Sequence, residues 1–166
     1  MPTKERFDSL VARNGQQVIY HREDGGVDCP CLSPEGNRSP KWHKANPGAP
    51  VCNERGKINV QTVHLVGRAF IQPVQSGATR RLTDEYIEAM FGEVQVDDHI
   101  GIFPIQLGQT MLDFQEWSAA GEDYILYRNR RFQVVSANYI PDPDGGGAHH
   151  WEVGLRLIKT GRVGVG

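Results

Sequence analysis

The 27-residue stretch 28–54, DCPCLSPEGNRSPKWHKANPGAPVCNE, constrains this chain more than any other. It holds all three cysteines, Cys29, Cys31 and Cys52, together with His43, in a background of turn formers. Pro30, Pro34, Pro40, Pro47 and Pro50 join Gly36 and Gly48, and beyond Leu32, Trp42 and Val51 there is little apolar material. Such a segment buries too little surface to offset the entropy of fixing its backbone. It orders only if something ties it.

Four candidate ligands offer a tie. A Zn²⁺ ion held by the thiolates of Cys29, Cys31 and Cys52 and the imidazole of His43 would be a closed, four-coordinate site, of the kind that contributes folding free energy and leaves no open position for catalysis. The spacing is unusual, with one residue between Cys29 and Cys31, eleven between Cys31 and His43 and eight between His43 and Cys52. The common short knuckle is absent. Two other readings stand beside zinc: a disulfide from Cys52 to one of the pair, or three unconnected thiols. An odd cysteine count leaves one thiol over in any disulfide scheme.

The chain has 166 residues, 18 basic and 20 acidic, for a formal charge of -2. That length suits one domain, and the balance supplies no cationic field for gripping phosphates. The N-terminus is too polar for a signal peptide and no apolar run approaches a membrane span, so synthesis and residence in a reducing cytoplasm are expected. Nineteen glycines and ten prolines favour short strands and many turns.

Thr3 is placed to cap a short helix through Val11 or Ala12, with Phe7, Leu10 and Val11 on one face and Asn14-Gly15 at its end. Residues 16–22 (QQVIYHR) read as a strand leading to Gly25-Gly26, and His21 as a strand residue outside the ligand set. Residues 57–74 read as a long strand with a bulge or bend at Gly67 and one change of phase, and its His64 has no nucleophile beside it. The polar loop 75–82 carries Arg80-Arg81. Thr83 then caps a second short helix, with Tyr86, Ile87, Met90 and Phe91 as its apolar face and Gly92 as its stop.

From Glu93 onward strands dominate. Asp97-Asp98 read as an ordinary turn, 99–104 as a strand ending at proline, and 112–117 as another strand before a turn at 120–123. Tyr124–Tyr127 and Arg131–Val135 flank a hairpin turn, Arg128-Asn129-Arg130, where positive φ is needed. A further strand at 137–140 and a structureless loop at 141–148 precede 149–159, whose alternation predicts a half-buried strand. His149-His150 beside Asp142 and Asp144 read as a surface turn, because the glycines between them give no rigid frame. Trp42 is the expected shield of the metal, or an anchor on a neighbour.

These elements predict a mainly β protein, a small antiparallel β-barrel or sandwich with two short helices. One domain spans 1–160, with a metal-binding insertion at 23–57 and a loose tail at 161–166. No nucleophile, base and orienting group can be assembled, so no catalytic residue is expected and the chain does not read as an enzyme.

Several of these segments together resemble the small head-closure, or head-tail joining, proteins of tailed bacteriophages. The features are Val96-Asp97-Asp98, Ile102-Phe103-Pro104, Phe132-Gln133-Val134-Val135 and the strand His150–Leu157, which follow one another as turn, strand, hairpin and late strand do in that family. Ser33-Pro34-Glu35-Gly36 followed by Trp42-His43 is similar to a loop carried by a subset of these neck proteins. Asp97-Asp98 stand where glycine is frequent. The resemblance implies a virion protein, made in the bacterial cytoplasm and assembled as a homo-oligomeric ring, commonly hexameric. Its partners would be the portal or head-tail adaptor on one side and the tail terminator or tail tube on the other, with packaged DNA passing through the lumen. An adaptor or tail-terminator role belongs to the same reading. The alternative from a different class is a zinc-binding module that recognises nucleic acid or a host protein through Arg38, Lys41, Lys44 and Arg55.

Overall fold

The computed structural model describes residues 2–53, 55–74, 84–115 and 123–159. Six strands close into an antiparallel barrel in the order β1-β4-β5-β10-β9-β8. They are β1 (Gln16–Asp24), β4 (Gln61–Pro73), β5 (His99–Phe103), β8 (Tyr124–Tyr127), β9 (Arg130–Pro141) and β10 (Ala148–Leu157). Closure leaves no edge strand in the wall. Alternate residues point inward, and Val18, Tyr20, Ile71, Phe103, Ile125, Phe132, Val153 and Leu155 fill the interior.

Two pairs of short strands lie outside the wall. Strands β2 (Val27–Asp28) and β3 (Lys57–Ile58) form one, and β6 (Gln106–Leu107) and β7 (Thr110–Met111) the other. The expected strand at 112–117 is instead a plug over its described part: Leu112 and Phe114 are buried, and the Phe114 ring meets Tyr20, Phe103 and Trp151 edge-on. Trp117 lies outside the described residues, as do loop 75–82, Thr83, most of the turn at 120–123 and the tail 161–166.

The described helices number three, not two. Helix α1 (Lys4–Asn14) starts at Thr3, whose hydroxyl accepts the Arg6 amide, and buries Phe7 and Val11 while Leu10 stays exposed. Helix α3 (Asp84–Phe91) ends at Gly92 with φ of 63° and packs Met90 and Phe91 on Val74 and Ile100, outside the wall. The additional one, α2 (Pro40–Ala45), lies inside the cysteine stretch.

Several expectations are corrected by packing. β4 pairs with β1 without a break through Gly67, and its inward residues keep one phase. Gly67 is required for a close approach, since a Cβ there would lie 2.4 Å from Leu107 Cδ2. Arg130 belongs to β9, which runs unbroken to Pro141; the hairpin turn is Arg128-Asn129, both at positive φ. Asp98 is no ordinary turn residue: it is buried, accepts the Gln95 amide at 2.7 Å and holds Arg156 through both carboxylate oxygens at 3.0 Å. Arg156 also donates to the carbonyls of Phe91 and Glu93, neutralising the end of α3.

His149 and His150 are likewise buried, not in a surface turn, and contact Phe7 of α1 at ring-centroid distances of 5.1 Å. A hydrogen-bonded line runs from the Pro2 carbonyl to His149 Nε2 (2.8 Å), from His149 Nδ1 to His150 Nδ1 (2.7 Å) and from His150 Nε2 to Glu152 (3.3 Å). Tyr86 of α3 donates to the other Glu152 oxygen. Asp142 and Asp144 stay in their own turn. Coverage of β10 by both helices explains why its outer face is less exposed than alternation predicts. Among the described residues no helix is long and apolar enough to cross a membrane.

Candidate metal centre

The cysteine stretch hangs between β1 and β4, and the β2–β3 pair forms its neck. Local signals fold it. Cys29 donates its amide to the Gly56 carbonyl at 2.7 Å, and the Leu32 amide returns to the Cys29 carbonyl at 3.0 Å, which turns the chain so that Cys31 faces the same interior. The Ser33–Asn37 turn doubles the chain back, pairing Leu32 with Arg38 and joining the Ser39 amide to the Cys31 carbonyl. Ser39 then caps α2 by accepting the Trp42 amide, with Pro40 in the first turn where its missing N–H is harmless. That helix carries His43 inward. After Cys52, the Asn53 side chain accepts the amides of Arg55 and Lys57 and closes a turn over Gly56, which has φ of 70°.

All four ligands expected from the sequence are brought together. Their ligand atoms lie within 4.8 Å of one another. Cys52 Sγ is 3.4 Å and Cys29 Sγ 3.6 Å from His43 Nε2, and Cys31 Sγ is 3.7 Å from Cys52 Sγ. Around a tetrahedral ion with bonds of about 2.3 Å to sulfur and about 2.0–2.1 Å to nitrogen, ligand atoms stand about 3.8 Å apart for S to S and about 3.6 Å for S to N. These three separations match that figure closely, and the full set of four spans up to 4.8 Å. They do not match a disulfide, whose sulfurs are about 2.05 Å apart, and all three cysteines are free thiols.

The three cysteines are buried and His43 half-buried, with Trp42 and Ile58 packed against them in a small cluster separate from the barrel core. Trp42 therefore shields the site. Burial pushes the Cys29 thiol above its ordinary value. Burial pushes Cys31 the same way, but hydrogen bonds from Cys29 and the Ser39 amide outweigh it and hold that thiol below its ordinary value. The set can bind one metal ion in a closed site.

Sequence reasoning missed what ties this unit to the barrel. Arg55 donates to the Glu23 carbonyl (3.2 Å) and to Asp123 (3.5 Å), and Asn53 donates to the Glu23 carboxylate at 2.7 Å. Asp123 also accepts the Tyr20 hydroxyl from the barrel interior (3.1 Å) and the Glu23 amide (3.3 Å). Burial, then the Asp123 charge, pushes the Tyr20 hydroxyl well above its usual range. Arg55 had been visible only as a positive charge; nothing local in the sequence announces a partner 68 residues away. His21 and His64 stand on the barrel wall facing each other, outside the ligand set.

No protein-family model matches the chain, and no curated protein matches it.

Proposed function

We propose that Cys29, Cys31, His43 and Cys52 bind one zinc ion, and that the protein is a structural subunit whose zinc-stiffened projection reaches a neighbouring molecule. The convergence of three thiols and one imidazole within 4.8 Å, three of the pairs at tetrahedral separations, carries this reading. Thiolate and imidazole donors suit zinc and disfavour calcium or magnesium, which take oxygen. The ion supplies a rigid cross-link where the loop's own apolar contacts are few, at low entropic cost to a later partner.

The assembly we propose is a ring in the neck of a tailed bacteriophage, closing the DNA-filled head between portal or adaptor and tail. Its support is the resemblance described above together with a closed antiparallel barrel, a loop projecting from it, and a net charge of -2 that lets DNA slide past without being gripped. Arg38, Lys41 and Lys44 are exposed on the projection, which is the observation favouring the rival reading of a nucleic-acid or protein recognition module.

Metal analysis under reducing conditions, with X-ray absorption at the zinc edge, tests the site. About one zinc per chain with three sulfurs near 2.3 Å is expected; under about a tenth of that overturns it. Electron microscopy of purified protein and of virions tests the ring. Solitary particles together with tight, steeply salt-dependent DNA binding would replace the neck reading with the recognition module.

A further inference from the structure

The outer wall of the barrel carries a second constellation. His21 of β1 and His64 of β4 are direct cross-strand partners whose side chains both leave the barrel. Their Nδ1 atoms are 3.3 Å apart and their rings meet at 64° with centroids 4.7 Å apart. Neighbouring strands fix the arrangement. His21 stacks on Tyr124 of β8 at 4.3 Å and 13°, and the Arg131 guanidinium sits over the Tyr124 ring at 4.8 Å.

We propose that His21 and His64 form an open, exchangeable site for a tetrahedral transition cation, zinc being the occupant that the geometry fits. Two nitrogens bound to one tetrahedral ion at about 2.0–2.1 Å are about 3.3–3.4 Å apart, which is the separation seen. A square-planar copper(II) ion at similar bond lengths needs about 2.8–2.9 Å, so the pair is set wide for copper. With His21 held on Tyr124, the adjustment that turns both lone pairs to a shared point falls on His64, whose χ2 is a broad torsion. Without the cation one ring donates its Nδ1–H to the other. Binding moves that proton to Nε2 of the same ring, so two neutral imidazoles take the ion with no net proton release.

The surroundings decide the strength. Glu23 and Asp123 place negative charge near His21 and favour a cation, while Arg131 opposes one. Burial, and then His64, pushes His21 below the usual imidazole value, which keeps its lone pair free at neutral pH. Only two protein ligands are present, so water completes the coordination. Binding is therefore weaker and faster than at the thiolate site, and the inference stands or falls independently of that site.

The experiment titrates the full chain with zinc chloride by calorimetry while histidine side-chain resonances are followed by NMR, so that any filling of the thiolate cluster is read at His43, apart from His21 and His64. One equivalent is expected at the pair, with shifts at His21 and His64. His21→Ala and His64→Ala should each weaken this step by about tenfold or more, because the second imidazole acts at high effective concentration, and the double variant should be no worse than either single. Arg131→Gln should tighten it several-fold. Both alanine variants sit on the solvent face, and unchanged melting confirms that they fold. Singles that each keep half of the uptake at the pair would show two independent imidazoles and overturn the site; so would unmoved His21 and His64 resonances at millimolar zinc.

Discussion

Replacing Gly56 with alanine probes the coupling between folding of the projection and metal binding without touching a ligand. Gly56 has φ of 70°, and a Cβ there would lie 2.4, 2.7 and 3.0 Å from three side-chain carbons of Leu32, the neighbour of Cys31. The left-handed backbone costs about 1–2 kcal/mol with a side chain present. Displacing Leu32 adds about 1–3 kcal/mol of overpacking, for a total of about 2–5 kcal/mol. Metal-free, the projection has almost no core of its own, so this penalty falls on the bound state and appears in affinity. At about 1.4 kcal/mol per tenfold, zinc affinity should drop by roughly 30-fold to 4,000-fold. Gly36→Ala is the control: its φ is 82° but nothing lies within 4 Å, so strain alone applies and the loss should be about 5-fold to 30-fold. Competition against a chromophoric chelator under reducing conditions reads the affinity, and urea melting of the barrel reads the remainder. Affinity within about threefold of the parent for Gly56→Ala, or an equal loss in barrel stability, would refute the coupling.

Three other perturbations separate the parts. His43→Ala should abolish zinc retention and remove amide protection from 28–57 while the barrel stays folded, because the two clusters are distinct; hydrogen exchange checks this, and global unfolding would contradict it. Asp98→Ala breaks a buried ion pair, but Arg156 keeps two carbonyl partners and its side chain is 23% exposed. The cost should therefore be about 2–3 kcal/mol, below the usual range for buried pairs, with a melting temperature lower by about 5–10 °C in calorimetry. The Glu152 carboxyl lies below its ordinary value because of its hydrogen bond from His150, then that from Tyr86, against the opposing effect of burial. Its folded value is thus below its unfolded one, so the stability it gives is full above the unfolded value and is lost as pH falls through the folded one. His150→Gln should move the acid-unfolding limb to higher pH; an unmoved limb in a circular-dichroism titration would contradict the link.

Much of this was legible because it is local. The caps at Thr3 and Gly92 and a positive-φ hairpin turn at Asn129 are written in adjacent residues, and the four ligands lie within the one stretch 29–52. Helix α2 was legible too, in Ser39-Pro40, a cap followed by a first-turn proline, but its six residues are masked by a run of loop formers. What escaped depends on distant chain. His149 and His150 are buried only because α1 arrives from the other end of the sequence, and Asp98 becomes a core anchor only because β10 brings Arg156 beside it. Alternation in β10 predicts a wet face, and no periodicity within one strand reports that two helices cover it.

The projection leaves and rejoins the wall at Asp24 and Gln61, which sit opposite each other at the open end of a hairpin. The pairing of β1 with β4 is complete up to those two positions, and the Arg55 and Asn53 bonds to Glu23 and Asp123 are what join the projection to it. A barrel built this way can exchange its appendage as a cassette, acquiring new neighbours by replacing the 36 residues 25–60 at a single seam while the strand pairing beneath is kept.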